Sequence, residues 1–238
     1  MSRSGQDGEE SFQREMAQGL SLKLPNLVER DAPLRRLQAR FDLACAGEGG
    51  TVIVEGAPGN GKTRLVEEIR THVEAVGGIF LRTQASEQEK NLPFCAVREI
   101  IQGYVAEVRK LPEERRSKTI TRIRNAVGSL GGGLVKLVPE VRELLASFHD
   151  LVPLDPERER QRFIYTVINF LQGIAFAEQP LLIFFDDLHG VDPESGAIFE
   201  KLATRMGRRH LLLVAAVVVE GSKATAGSPE GAFSSSVK

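Results

Sequence analysis

The stretch GAPGNGKT (residues 56–63) follows the apolar run Thr51-Val52-Ile53-Val54 and precedes a helical pattern that begins near Lys62. It fits the pattern G-x-x-x-x-G-K-[ST] in the strand–loop–helix context that such a loop requires. Its three glycines allow left-handed backbone conformations and let backbone N–H groups approach an anion closely. The positive end of the following helix adds to the attraction for phosphate. The stretch therefore predicts a phosphate-binding loop.

The residue types in this loop predict individual roles. Lys62 would reach the β- and γ-phosphates of a nucleotide, and the Thr63 hydroxyl would ligate Mg²⁺. An ordinary glycine-rich turn is the alternative, but it explains neither the Lys-Thr pair nor the flanking strand. We expect the whole loop and the residue after it to contact nucleotide: Gly56, Ala57, Pro58, Gly59, Asn60, Gly61, Lys62, Thr63 and Arg64.

Composition and charge narrow the function classes. The 238 residues are 42% hydrophobic and 26% charged, with a net charge of −1, so no global basic field favours nucleic acid or an anionic membrane. Residues 1–20 contain no apolar signal region, and the longest apolar run (residues 211–219) is far short of the roughly 20 residues of a membrane span. We therefore predict a cytoplasmic protein without a membrane partner.

Residues 112–126 are locally basic, with five Arg and Lys side chains around Ile120 and Ile123. A patch for nucleic acid is one interpretation. The pattern favours a solvated amphipathic helix instead, because Glu113 and Glu114 partly balance the charge. No direct contact with nucleic acid is expected from this segment.

The order of elements predicts an α/β fold. Apolar strand patterns at residues 51–54, 79–83, 181–185 and 211–219 alternate with helical patterns. This alternation is typical of a three-layer fold, a parallel sheet with helices on both faces and ligands at the carboxyl ends of the strands. We expect a flexible leader over residues 1–24, a core over 25–220 and a disordered tail over 221–238.

A second motif follows the third strand pattern, Leu181-Leu182-Ile183-Phe184-Phe185, which ends in Asp186-Asp187. This is the Walker B arrangement: Asp186 would hold Mg²⁺, mostly through its waters, and Asp187 would orient or deprotonate an attacking water. The alternative is that the two residues merely begin a turn. His189 fits either a contact near the γ-phosphate or a structural role, and Asp192 before Pro193 predicts a helix N-cap.

Four segments together resemble one family: LVERD (27–31), GAPGNGKT, NLPF (91–94) and QPLLIFFDDLHGVDPES (179–195). They are similar to the AAA-type P-loop ATPase domain of the STAND class, as in LuxR-type bacterial transcriptional regulators and related signalling ATPases. The resemblance spans residues 25–219 and implies an ATP-driven switch that is closed with ADP and open to assembly with ATP. It also implies that Val28 lies near the adenine, that Asp186 serves Mg²⁺ and that Asp187 serves the water.

The sequence departs from this family in three places. Gly190 and Val191 stand where an aromatic residue usually follows the histidine. The fourth strand ends in Ala216-Val217-Val218 instead of a Thr-x-Arg-like sensor, so we expect no arginine at the γ-phosphate. We expect the family's fifth strand and helical lid to be missing and the domain to be truncated after the fourth core strand. Residues 51–54 would then form an exposed apolar sheet edge, prone to self-association or to pairing with a partner protein.

These patterns predict an ATP- and Mg²⁺-binding switch core of a STAND-like regulatory ATPase, with weak or absent hydrolysis of ATP to ADP. One alternative is a non-catalytic interaction module in which nucleotide only stabilises the fold. A P-loop kinase is a further alternative, although the sequence shows no acceptor-site signature.

Overall fold

The structure is a computed structural model that describes residues 20–23, 31–84, 91–145, 152–206 and 208–219. Its centre is a five-stranded sheet with the order β1-β2-β5-β4-β3, in which every neighbouring pair is parallel. The strands are β1 (Leu20–Lys23), β2 (Glu48–Gly56), β3 (Ile79–Gln84), β4 (Leu181–Asp186) and β5 (Arg209–Val218).

Helices cover both faces of this sheet. The α-helices are α1 (Asp31–Cys45), α2 (Lys62–Glu68), α3 (Arg70–Ala75), α4 (Cys95–Lys110), α5 (Glu113–Val127), α6 (Gly132–Leu137), α7 (Pro156–Gly173) and α8 (Pro193–Ala203). Short 3₁₀ helices lie at Gly128–Gly131, Pro139–Leu144 and Leu188–Gly190. Among the described helices, none is long and apolar enough to cross a membrane.

Alternation along the strands divides the core into two layers. All six residues of β4 are buried, as expected for a parallel strand covered on both faces. Ile183 and Phe185 face a cluster built with α4 to α8, whereas Leu182 and Phe184 face a cluster built with α1 to α3. The predicted three-layer α/β fold is confirmed.

The predicted exposed edge at residues 51–54 is wrong. β1 pairs in parallel with β2, with Leu20 opposite Val52 and Lys23 opposite Glu55, so a strand from before the phosphate loop covers this edge. Four residues assigned to the flexible leader therefore belong to the sheet. The rest of the predicted leader and the predicted disordered tail over residues 221–238 lie outside the described residues.

The locally basic segment forms α5, and its amphipathic character is confirmed because Ile123 and Val127 are buried. Part of its charge is paired, since Lys118 Nζ lies 2.7 Å from Glu114 Oε1.

Arg40 stabilises the start of β2 from α1. The residue is 3% exposed, and its guanidinium donates to the carbonyl oxygens of Glu48 at 2.7 Å and Gly49 at 2.8 Å. Burial lowers the pKa of Arg40 from its ordinary value, although nearby Glu48 opposes this effect. A Cβ at position 50 would lie 1.7 Å from Arg40 Nη2, so any residue other than glycine there would force the guanidinium to move.

Candidate functional site

The predicted phosphate loop connects β2, which ends at Gly56, to α2, which begins at Lys62. Gly59 and Gly61 have φ angles of 80° and 76°, in the left-handed region that favours glycine. The Gly61 carbonyl accepts from the Leu65 N–H at 2.9 Å and so begins the helix. Residues 57–59 are exposed at the carboxyl end of the sheet, where a ligand can approach them.

The Lys62 side chain lies across this loop. Its Nζ donates to the carbonyl oxygens of Gly56 at 2.9 Å and Ala57 at 3.0 Å, and the residue is 9% exposed. An ammonium group has three N–H donors, so one remains for an anion held in the loop. Arg64, also predicted to contact nucleotide, lies on the exposed side of α2 and pairs with Glu68 at 3.2 Å.

Thr63 joins the two predicted motifs. Its hydroxyl donates to Asp186 Oδ1 at 2.8 Å, across 123 residues of sequence. Asp186 is the last residue of β4 and is 8% exposed. The two motifs meet because β2 and β4 are parallel, are separated only by β5, and end at the same edge of the sheet.

The chemistry of these donors fits Mg²⁺. Magnesium prefers oxygen ligands, keeps several waters, and is usually held by one or two protein groups together with substrate phosphates. The Thr63 hydroxyl uses its proton on Asp186, so its lone pairs stay free for a metal. In the described part of the chain, no group of three or more His, Cys, Asp or Glu side chains could hold a metal ion. The site therefore suits a metal that binds together with a polyanion better than a metal that is bound by protein ligands alone.

Asp187 follows in a strained conformation. Its φ of 63° and ψ of 77° place it in the left-handed region, which costs a residue with a side chain about 1–2 kcal/mol. Such strain clusters at functional sites. Its side chain is exposed beside Asp186, and His189 is also exposed, on the short 3₁₀ helix that follows.

Arg82 is the site residue that sequence reasoning missed. Its Nη2 lies 2.6 Å from Asp186 Oδ2, and its Nη1 lies 3.0 Å from Glu67 Oε1 on α2. The prediction of no arginine at the γ-phosphate concerned the end of β5, where Ala216, Val217 and Val218 stand. Arg82 comes from β3 and contacts Asp186. A signal was present, since a charged residue inside the apolar strand pattern Ile79-Phe80-Leu81 calls for a buried partner.

Asp192 is the predicted N-cap of α8 and also binds a second helix. Its Oδ1 accepts from the N–H groups of Ser195 at 3.0 Å and Phe94 at 2.8 Å, and its Oδ2 accepts from Ala96 at 3.2 Å. Phe94 has a φ of 61° and lies just before α4. Asp192 therefore connects the NLPF segment to the segment that follows the acidic motif.

Val28, predicted to lie near the adenine, falls outside the described residues.

A parallel sheet with a glycine-rich loop after one strand and an acidic residue ending another defines the class of P-loop nucleoside-triphosphatase folds. A family model described as an AAA ATPase domain matches residues 26–214. Because this match covers most of the chain, the protein belongs to the AAA ATPase domain family, and membership indicates nucleotide binding.

The chain is also similar to the hybrid signal transduction histidine kinase G of Dictyostelium discoideum, with 24% identity over 180 residues. The aligned part is 74% of this chain but only 5% of that protein.

Proposed function

We propose that this chain is the ATP- and Mg²⁺-binding core of a STAND-like signalling switch, with weak or absent hydrolysis. The observation that carries the proposal is the Thr63–Asp186 hydrogen bond of 2.8 Å, which joins the phosphate loop to an acidic residue of another strand. A simple glycine-rich turn gives no reason for this pairing. The similar Dictyostelium protein is named as a signal transduction kinase, which supports a role in signalling.

Each residue of the loop has a role in this proposal. The backbone of residues 56–61 surrounds the phosphates, and the free N–H donor of Lys62 binds a phosphate oxygen. Thr63 and Asp186 hold Mg²⁺, which when bound neutralises phosphate charge. Val28 contacts the adenine, as the family resemblance implies.

Weak hydrolysis follows from the surroundings of Asp187. Its exposed carboxylate can orient a water, but the apolar end of β5 offers no group to stabilise charge that develops on the γ-phosphate. We expect turnover on the order of 10⁻³ s⁻¹, the intrinsic rate of a phosphate-loop enzyme that lacks an arginine finger.

Single-turnover measurements with radiolabelled ATP test this expectation. Asp187→Asn is the control, because asparagine tolerates the left-handed backbone but does not accept a proton. Turnover of several per second that is lost in this variant would contradict weak hydrolysis while leaving the binding proposal intact.

The apolar end of β5 also favours the alternative function, an interaction module in which nucleotide only stabilises the fold. Both functions predict a higher melting temperature with nucleotide. At 100 times Kd a ligand stabilises the native state by about 2.7 kcal/mol, or roughly 5–10 °C for a protein of this size.

Hydrogen exchange distinguishes the two functions. If the chain is a switch, Mg-ATP and Mg-ADP should protect the backbone amides of different segments from exchange. Neither nucleotide should cause this protection in the Lys62→Ala variant. Identical protection by the two nucleotides would favour the module and would contradict the switch.

A further inference from the structure

Arg82 connects three elements of the site. It projects from β3, and its guanidinium lies between Asp186 at the end of β4 and Glu67 on α2, the helix after the phosphate loop. Nη2 also donates to Gln84 Oε1 at 3.3 Å. The arginine therefore binds the acidic residue of the second motif and, at the same time, a carboxylate on the helix that follows the phosphate loop.

The backbone beneath Arg82 is held firmly. Glu99 on α4 accepts from the Thr83 hydroxyl at 2.5 Å and from the Gln84 N–H at 3.2 Å. Gln84 also lies opposite Asp186 in the β3–β4 register. Any change in the pairing of Arg82 must therefore come from its side chain.

The geometry of the Arg82–Asp186 contact allows Arg82 to give up Asp186 and keep another partner. A single nitrogen, Nη2, reaches Asp186, whereas the strongest arginine–carboxylate pairs use two parallel N–H bonds. The buried Nε of Arg82 has no hydrogen-bond partner among the described residues. Glu67 offers the guanidinium a second carboxylate, so Arg82 would keep an anionic partner without Asp186.

Both oxygens of Asp186 are in use, Oδ1 by Thr63 and Oδ2 by Arg82. A hydrated magnesium ion needs carboxylate oxygens to accept hydrogen bonds from its waters or to ligate it directly. A guanidinium on Oδ2 uses one of the lone pairs of that oxygen and adds a positive charge that repels the cation. The metal and Arg82 therefore compete for one carboxylate.

We propose that Arg82 is a positioning residue that lowers the metal affinity of the nucleotide site by holding Asp186. This inference rests on the proposed function, since it concerns the same site. By linkage, a metal that binds Asp186 weakens the Arg82 contact by the same factor. Metal-nucleotide binding then leaves the guanidinium on Glu67, which it already contacts at 3.0 Å, and weakens its connection from β3 to the end of β4.

The test measures how strongly metal and nucleotide binding depend on each other. Calorimetry gives two dissociation constants for the full chain, the Kd for ADP with excess EDTA and the Kd for Mn-ADP. The readout is the metal-free Kd divided by the Kd for Mn-ADP, so the ratio rises when the metal binds more tightly. Arg82→Gln keeps much of the side-chain volume but removes the charge, and we expect the ratio to rise about tenfold, which is 1.4 kcal/mol. A purely structural role for Arg82 predicts a lower or unchanged ratio, because a damaged site loses metal affinity.

Glu67→Gln is the matched control. It removes the other carboxylate partner of Arg82 and weakens the Glu67–Arg70 pair at 3.0 Å, so Arg82 depends more on Asp186 and the ratio should stay the same or fall. If Arg82→Gln does not fold by circular dichroism, Arg82→Lys replaces it, because lysine cannot bind both carboxylates in the same fork geometry. A several-fold rise in the ratio is expected there.

Two results overturn the inference and can be told apart. A wild type that binds Mn-ADP, with a ratio that does not rise in the Arg82 variant, refutes the role of Arg82 alone. A folded wild type that binds ADP neither with nor without metal refutes the proposed function as well.

Discussion

Replacing Asp192 with alanine tests the connection between α4 and α8. Asp192 is 2% exposed, and its carboxylate accepts from three backbone N–H groups, one in α8 and two at the start of α4. Loss of an N-cap costs about 0.5–2 kcal/mol, and each buried donor left without a partner costs about 1–3 kcal/mol. Because the bonds share one carboxylate they are not additive, and we expect Asp192→Ala to lower the free energy of unfolding by about 3–5 kcal/mol.

Urea denaturation followed by circular dichroism measures this change, and Asp155→Ala is the matched control. Asp155 also precedes a proline and caps a helix, but it is exposed, accepts one backbone N–H, from Arg158 at 3.1 Å, and forms an exposed ion pair with the side chain of Arg158. Its loss should cost about 0.5–1.5 kcal/mol. Asp192→Asn should fall between the two alanine variants, since an amide keeps one acceptor oxygen. If Asp192→Ala costs no more than Asp155→Ala, the reasoning about the shared carboxylate is wrong.

Two further predictions concern buried polar groups. Gly50→Ala should destabilise the protein by about 2–4 kcal/mol, because its Cβ would collide with the Arg40 guanidinium. Gly196→Ala on α8 is the control and should be neutral or stabilising, because nothing lies within 4 Å of an added Cβ there. Equal urea midpoints for the two variants would refute this contrast. Tyr104→Phe should cost about 1–3 kcal/mol, because the Gln179 amide donates to the buried hydroxyl at 2.9 Å. Burial also raises the pKa of Tyr104. Above a pH of about 10 the unfolded tyrosine ionises first, so wild-type stability should fall with rising pH more steeply than that of Tyr104→Phe, and parallel pH profiles would contradict this.

The two motifs can be predicted from the sequence because each is a local pattern. That they lie at the same edge of the sheet can be predicted because all the strands are parallel. A glycine-rich loop after an apolar strand identifies residues 56–63, and an unbroken apolar run identifies β4. Since strands of a parallel sheet end at a common edge, the phosphate loop and Asp186 can converge there.

Contacts that depend on the lateral order of strands and on rotamers are harder to predict. Arg82 meets Asp186 across 104 residues, and only the adjacency of β3 and β4 brings them together. The four residues of β1 show little more than the alternation of Leu20 and Leu22 within a polar segment, and a strand this short is recognisable mainly by its pairing with β2. Asp192 could be predicted as the cap of its own helix, but its bonds to α4 come from a segment almost a hundred residues earlier.

The central claim is that residues 56–63 and Asp186 form one nucleotide site, and calorimetric titration of Mg-ATP tests it most directly. The wild type should bind one molecule per chain, and Lys62→Ala should weaken binding at least about tenfold, since it removes a charge from the phosphates. Lys136→Ala, at an exposed position on α6, should bind like the wild type. A folded wild type that shows no binding, or a Lys62→Ala variant that binds equally well, would contradict the account.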